Sequence, residues 1–160
     1  MNFRICHEAK DYFANITNVG GAYSSSEEKN RFMMFDPFYC CALIGMASVE
    51  IDPDDSDSSD IIQGYPASYR ESKALIAGLL ISTEAKRKGI DINNPRLESI
   101  MLDYLSGEDE TLLTDEGIKA INAYSRRGYV LYKELFPERP QSREEFLIGF
   151  EKVIKKYAKG

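Results

Sequence analysis

Apolar side chains recur at three- and four-residue steps through much of the second half of the chain, the spacing of helices that bury one face. The last such segment is the plainest. Phe146, Leu147, Phe150, Val153, Ile154 and Tyr157 form a stripe, and Ser142 and Glu145 stand in the relation of a capping box. Glu144 near the start and Lys156 near the end suit the helix dipole, so a helix is expected over residues 142–157. Upstream, Thr114 followed by Asp115 and Glu116 opens a longer helix to about residue 136, with Ile118, Ile121, Tyr124, Leu131, Tyr132 and Leu135 inward and Pro137 beyond its end. Gly128 inside that helix marks either a close helix contact or a kink. Asn94-Pro95 begins another, whose stripe is Leu97, Ile100, Met101, Tyr104 and Leu105.

Two segments are apolar all round rather than striped. Residues 67–88 read as a helix whose middle, 74–81, is greasy on every side, which makes it the expected central helix; it ends in Lys86-Arg87-Lys88 before Gly89. Asp36-Pro37 starts a second buried helix to about residue 47, with a buried strand as the competing reading of residues 40–47. At the N-terminus Met1, Phe3 and Ile5 alternate like a short strand, and residues 8–16 suit a helix with Tyr12, Phe13 and Ile16 inward. Residues 19–26 are a breaker cluster expected to form a surface loop before Glu27 starts a new element.

Residues 52–60 carry five acids and no apolar side chain besides Pro53, so burial cannot offset the entropy of ordering them, and a mobile loop is expected. That loop separates an N-terminal part, 1–51, from a helical part, 61–160, within one domain of 160 residues. The fold class that follows is all-α: a compact bundle or orthogonal array of about five to six helices, with room for one short N-terminal strand.

Charge and composition narrow the function classes. Twenty Lys and Arg against twenty-six Asp and Glu give a net charge of −6, which opposes a nucleic-acid backbone unless a basic patch forms locally. The longest apolar run, residues 40–47, falls far short of the roughly 20 residues of a membrane span. With no basic-then-apolar leader at its start, the chain reads as cytoplasmic. Three cysteines, two of them adjacent, fit reduced thiols better than a disulfide framework.

Cys6, His7, Cys40 and Cys41 are the only thiol and imidazole groups. Their spacing does not suit zinc, whose ligands are usually two to four residues apart, but His7 with Cys40 or Cys41 is the candidate nucleophile pair. A single histidine rules out the paired Glu-x-x-His motifs of di-iron bundles. Asp52, Asp54 and Asp57 imitate a calcium loop, yet its glycine is missing and Gln63 replaces its last glutamate. No phosphate-cradling glycine motif occurs, so neither a metal nor a cofactor is expected.

The basic candidates are Lys86, Arg87 and Lys88; Arg126 and Arg127 beside Tyr129; and Lys152, Lys155, Lys156 and Lys159. Helix ends explain most of them, but convergence with Tyr65, Tyr69 and Tyr129 would build a groove for a phosphate-bearing partner. Strong helix design without a catalytic motif leads to the reading of a small helical interaction or accessory protein, acting through a helix face on another protein or a second copy. The alternatives are a nucleic-acid-associated factor using the basic helix ends, and an enzyme with a cleft site involving His7 and a cysteine.

Overall fold

A computed structural model describes residues 1–18 and 31–158 of the chain. The expected loop at 19–26, the element starting at Glu27, and Lys159 lie outside the described residues. The order is β1 (Phe3–Cys6), α1 (His7–Tyr12), a 3-10 turn (Ala14–Ile16), α2 (Phe35–Ser48), β2 (Ser58–Ile62), a 3-10 stretch (Ala67–Ser72), α3 (Lys73–Arg87), α4 (Arg96–Tyr104), α5 (Asp115–Leu135) and α6 (Arg143–Tyr157). The molecule is mostly helical, with one short antiparallel pair between β1 and β2. No described helix is long and apolar enough to cross a membrane.

The centre is the crossing of α2 and α5, not the α3 helix that the apolar run at 74–81 suggested. Two glycines make it. A Cβ on Gly45 of α2 would lie 2.1 Å from the Tyr124 carbonyl oxygen, and one on Gly128 of α5 would lie 1.7 Å from that of Cys41. Each glycine thus faces backbone four residues before the other, and the helices meet with no side chain between them. Gly128 marks close contact rather than a kink. α3 lies at the side, where Ile76 and Leu80 are buried while Leu75 is 62% exposed. Its first turn and a half, predicted as α-helix from residue 67, is 3-10 instead.

Aromatic rings fill the space around this crossing. Phe3 of β1 stands edge-on to Phe35 and Phe38 of α2, while Tyr12 and Phe13 meet Tyr129 and Tyr132 of α5, with Phe146 of α6 beyond. Phe3, Phe13, Phe38, Tyr124 and Phe146 are all completely buried, and with Ile76 and Leu80 of α3 and the half-buried Ile61 and Ile62 of β2 they belong to one core.

The acidic segment is ordered, contrary to the expectation of a mobile loop. Its last residues form β2, and three of its acids have side-chain partners: Asp55 pairs with Arg4 and Arg126, Asp60 with Arg4, and Asp57 shares a hydrogen bond with His7. Asp52 and Asp54 accept backbone N–H groups two residues on, so local turns order the stretch without apolar burial. The chain enters it from α2 through Val49, held left-handed at φ 56°.

The predicted caps hold at α5 and α6. The Thr114 hydroxyl accepts from the Gly117 N–H and donates to the Asp103 carbonyl at 2.6 Å, joining the start of α5 to the end of α4. We expect Thr114→Ala to lower unfolding free energy by about 1–2 kcal/mol and Thr114→Ser to recover most of it, as read from urea midpoints. At α6 the Ser142 hydroxyl accepts from the Glu145 N–H, but the Glu145 carboxylate turns to the N–H of Gln141 rather than closing the box on Ser142. α2 begins at Phe35, so Asp36 sits in its first turn instead of capping it; its carboxylate accepts from the Met33 N–H and the Tyr69 hydroxyl.

Three residues assigned inward face out. Leu135 is 41% exposed, Leu147 45% and Met101 43%. Only Ile100 of the α4 stripe is fully buried, against Ile81 and Ala85 of α3.

Candidate functional site

Among the described residues, two of the concavities on this frame combine apolar walls with charged side chains. The first lies between the end of α3, the start of α5 and the segment that follows α2, and has a volume of about 310 Å³. Its chemistry is carried by Glu84, which is 1% exposed although it is an acid. Arg87, one helical turn on, clasps both Glu84 oxygens through Nε and Nη2 at 2.9 Å, and the hydroxyls of Tyr124 (2.5 Å) and Tyr104 (2.8 Å) donate to the same carboxylate. Lys88 Nζ in turn donates to the Tyr104 hydroxyl.

Burial alone would push the Glu84 carboxyl up. The hydrogen bonds from Arg87, Tyr124 and Tyr104 outweigh it and hold the group below the ordinary glutamate range. Bonding to Glu84 raises the Arg87 guanidinium in return, and burial raises the Tyr124 hydroxyl, further helped by that carboxylate. A carboxylate held ionised by four donors orients its neighbours; it is poorly suited to take a proton.

Across the cavity Arg126 of α5 is 5% exposed. Its Nε donates to the Asp52 carbonyl and its Nη1 to Asp55. Arg126, a basic candidate in the sequence, does not lie on a solvated helix face: the acidic segment folds over it. Neighbouring Arg127 does stay near the surface, bonded to Glu50.

The second concavity is a groove of about 770 Å³ between the end of α5, residues 136–142 and α6. Leu135, Phe136, Pro137 and Ile148 give it an apolar lining, and Glu138, Glu144 and Glu145 outnumber Lys152 around them. It is braced from below: the Tyr12 hydroxyl donates to the carbonyls of Phe136 (2.5 Å) and Glu138 (3.1 Å). Gly149 lets α6 settle on Tyr132, whose hydroxyl would be 2.3 Å from an added Cβ.

The residues singled out from the sequence are mostly kept apart. His7 is at the surface, its Nδ1 2.7 Å from Asp57, and no hydrogen bond joins it to a thiol among the described residues. Burial pushes the Cys40 thiol up to about 12 and holds the Cys41 thiol well above the ordinary thiol range, so both are protonated at neutral pH and neither is an activated nucleophile. Cys6 is also raised by burial. Among the described residues no three His, Cys, Asp or Glu side chains converge in a way that could hold a metal ion.

Of the basic candidates, Arg87 and Arg126 line the same cavity but each is already paired with a carboxylate. Lys86 and Lys88 remain exposed at the end of α3. Tyr129 is 2% exposed and Tyr65 7%, so neither ring stands free for a base to stack on. Glu84 was missed by the sequence reading, although its spacing to Arg87 and Lys88 is that of helical ion pairs. The groove was missed because Leu135 was assigned to the core. The chain matches no protein-family model, and it has no significant match to a curated protein or to a solved structure.

Proposed function

We propose that the protein is an interaction or accessory module that uses the groove between α5 and α6 to take up an apolar segment of a partner protein flanked by basic side chains. The observation that carries this reading is the groove itself, an apolar trough held open by Tyr12 and rimmed by three glutamates against one lysine. An apolar channel selects for greasy anchors, and its acidic rim selects for Lys or Arg beside them. The overall charge of −6 adds long-range attraction for the same kind of partner.

A second copy is a poorer occupant than a foreign chain. Among the other exposed apolar residues, Ile92 and Leu102 of the α4 region are accompanied by Asp91, Glu98 and Asp103, and that surface would bring acid to acid. The test is fluorescence anisotropy with a labelled amphipathic peptide of leucine and lysine at helical spacing. Ile148→Ser and Leu135→Ser each leave charge unchanged and are expected to weaken binding by about tenfold, with unfolding free energy moved by less than about 0.5 kcal/mol. Glu138→Gln with Glu144→Gln should flatten the salt dependence. Equal binding by the serine variants and the parent protein would overturn the reading. A molecular mass in solution that doubles with concentration would replace the foreign partner by a second copy.

A further inference from the structure

The cavity beside Glu84 has features that the groove reading leaves unused. Arg126 is buried to 95% on its side chain, yet only Nε and Nη1 have partners; Nη2 donates to nothing among the described residues. Fastening the 52–55 segment to α5 needs only those two nitrogens, so the third is left over inside a wall of the cavity. Arg87 repeats the arrangement from the α3 side, where Glu84 occupies Nε and Nη2 and leaves Nη1 without a partner among the described residues. Arg87 keeps 32% of its side chain exposed and Arg126 Nη2 is reached by solvent, so water meets both spare donors; the two forks, already locked by carboxylates, are preorganised to exchange that water for an anionic oxygen pair.

The rest of the lining sets the class of ligand. Ile51, Pro53, Ala120 and Ala123 supply an apolar wall, and the volume of about 310 Å³ lies at the small end of organic-ligand sites. Arg87, Lys119 and Arg126 are balanced by Glu84, Glu116 and Asp55, and the Met1 ammonium by Asp115 beside it, so the cavity carries no surplus of positive charge to hold a dianion. Attraction must come from direct donor contact at one end and apolar burial at the other.

We infer that this cavity binds a small organic monocarboxylate with an apolar body, its carboxylate received by Arg126 Nη2 and Arg87 Nη1 and its body against Ala120 and Ala123. Glu84 is a positioning residue in this site: it touches Arg87 and fixes the direction of its fork. The site is separate from the groove at α6, and neither reading requires the other.

Benzoate is a fitting probe, with benzamide as its uncharged counterpart and inorganic phosphate as the compact anion. Followed by amide chemical shifts of the full chain, benzoate is expected to saturate with shifts confined to residues around the cavity, and benzamide and phosphate to bind at least about tenfold more weakly. Ala120→Leu fills the cavity while leaving both guanidinium pairs intact and should abolish the shifts. Arg126→Lys keeps the charge but loses the spare nitrogen, and Arg87→Gln removes the other fork; each should weaken benzoate about tenfold, and Arg87→Gln serves alone if Arg126→Lys does not fold. Absence of saturation, equal binding of benzamide, or unchanged benzoate binding by Ala120→Leu overturns the proposal. Ile148→Ser leaves benzoate binding unchanged, which keeps this result distinct from that of the groove.

Discussion

Gly128→Ala is expected to destabilise the protein by about 3 kcal/mol or more, because the added methyl has nowhere to go. Its carbon would stand 1.7 Å from the Cys41 carbonyl oxygen and 2.6 Å from the carbonyl carbon, both backbone atoms that no rotamer change can move. Helices α2 and α5 would have to separate along the contact on which the aromatic core is assembled. In an exposed helix the same change does the reverse: Gly78 of α3 has no atom within 4 Å of an added Cβ, so Gly78→Ala should stabilise by about 0.5–1 kcal/mol through helix propensity alone. Urea midpoints of the two variants separate packing from propensity. Near-equal midpoints would mean that the glycine contact at the centre is not what joins the helices.

Removing the carboxylate of Glu84 is the second large change. Glu84→Ala leaves the Tyr104 and Tyr124 hydroxyls without their acceptor and Arg87 without its counterion, and should cost about 3 kcal/mol at neutral pH. The pH dependence follows from the depressed carboxyl. Since folding lowers its pKa below the unfolded value of 4.5, the unfolded chain binds more protons between the two values. The stabilisation is therefore fully present above pH 4.5 and is lost as the pH falls through the lower, folded value. Glu84→Gln does not titrate, so its melting temperature should fall less steeply than that of the parent protein on acidification below about pH 4.5. Parallel acid limbs for the two proteins would show that Glu84 is not held ionised by its neighbours.

Much of the helical layout is legible residue by residue. Thr114 and Ser142 cap the helices they were expected to cap, and Phe3 and Ile5 alternate into the core as a short strand. Pro37 stands inside the first turn of α2, where a missing N–H has no helical acceptor to lose. These features depend on neighbours within about four residues, and side-chain type at that range leaves few solutions. Composition misled at residues 52–60: of the five acids there, Asp55, Asp57 and Asp60 are held by Arg4, His7 and Arg126, from the N-terminal end and from α5, while Asp52 and Asp54 accept from nearby backbone. Leu135 and Leu147 failed for a related reason, since a stripe gives the direction a face points but not how far the opposing element reaches to cover it.

Both candidate sites belong to that second kind of information. Glu84 and Arg126 come from helices some forty residues apart in the chain, and they border one cavity only because α3 docks beside α5. The groove exists because Tyr12, more than a hundred residues upstream, holds the carbonyls of Phe136 and Glu138. The sequence by itself determined the helices, most of their caps and which faces are greasy, because hydrogen bonds and amphipathic spacing act locally. Tertiary structure alone decided that α2 and α5 are the centre, that the acidic segment is ordered, and where two guanidinium forks and an apolar trough are left open. Those outcomes rest on backbone contact at Gly45 and Gly128 and on charges paired across long sequence separations, which no local pattern encodes.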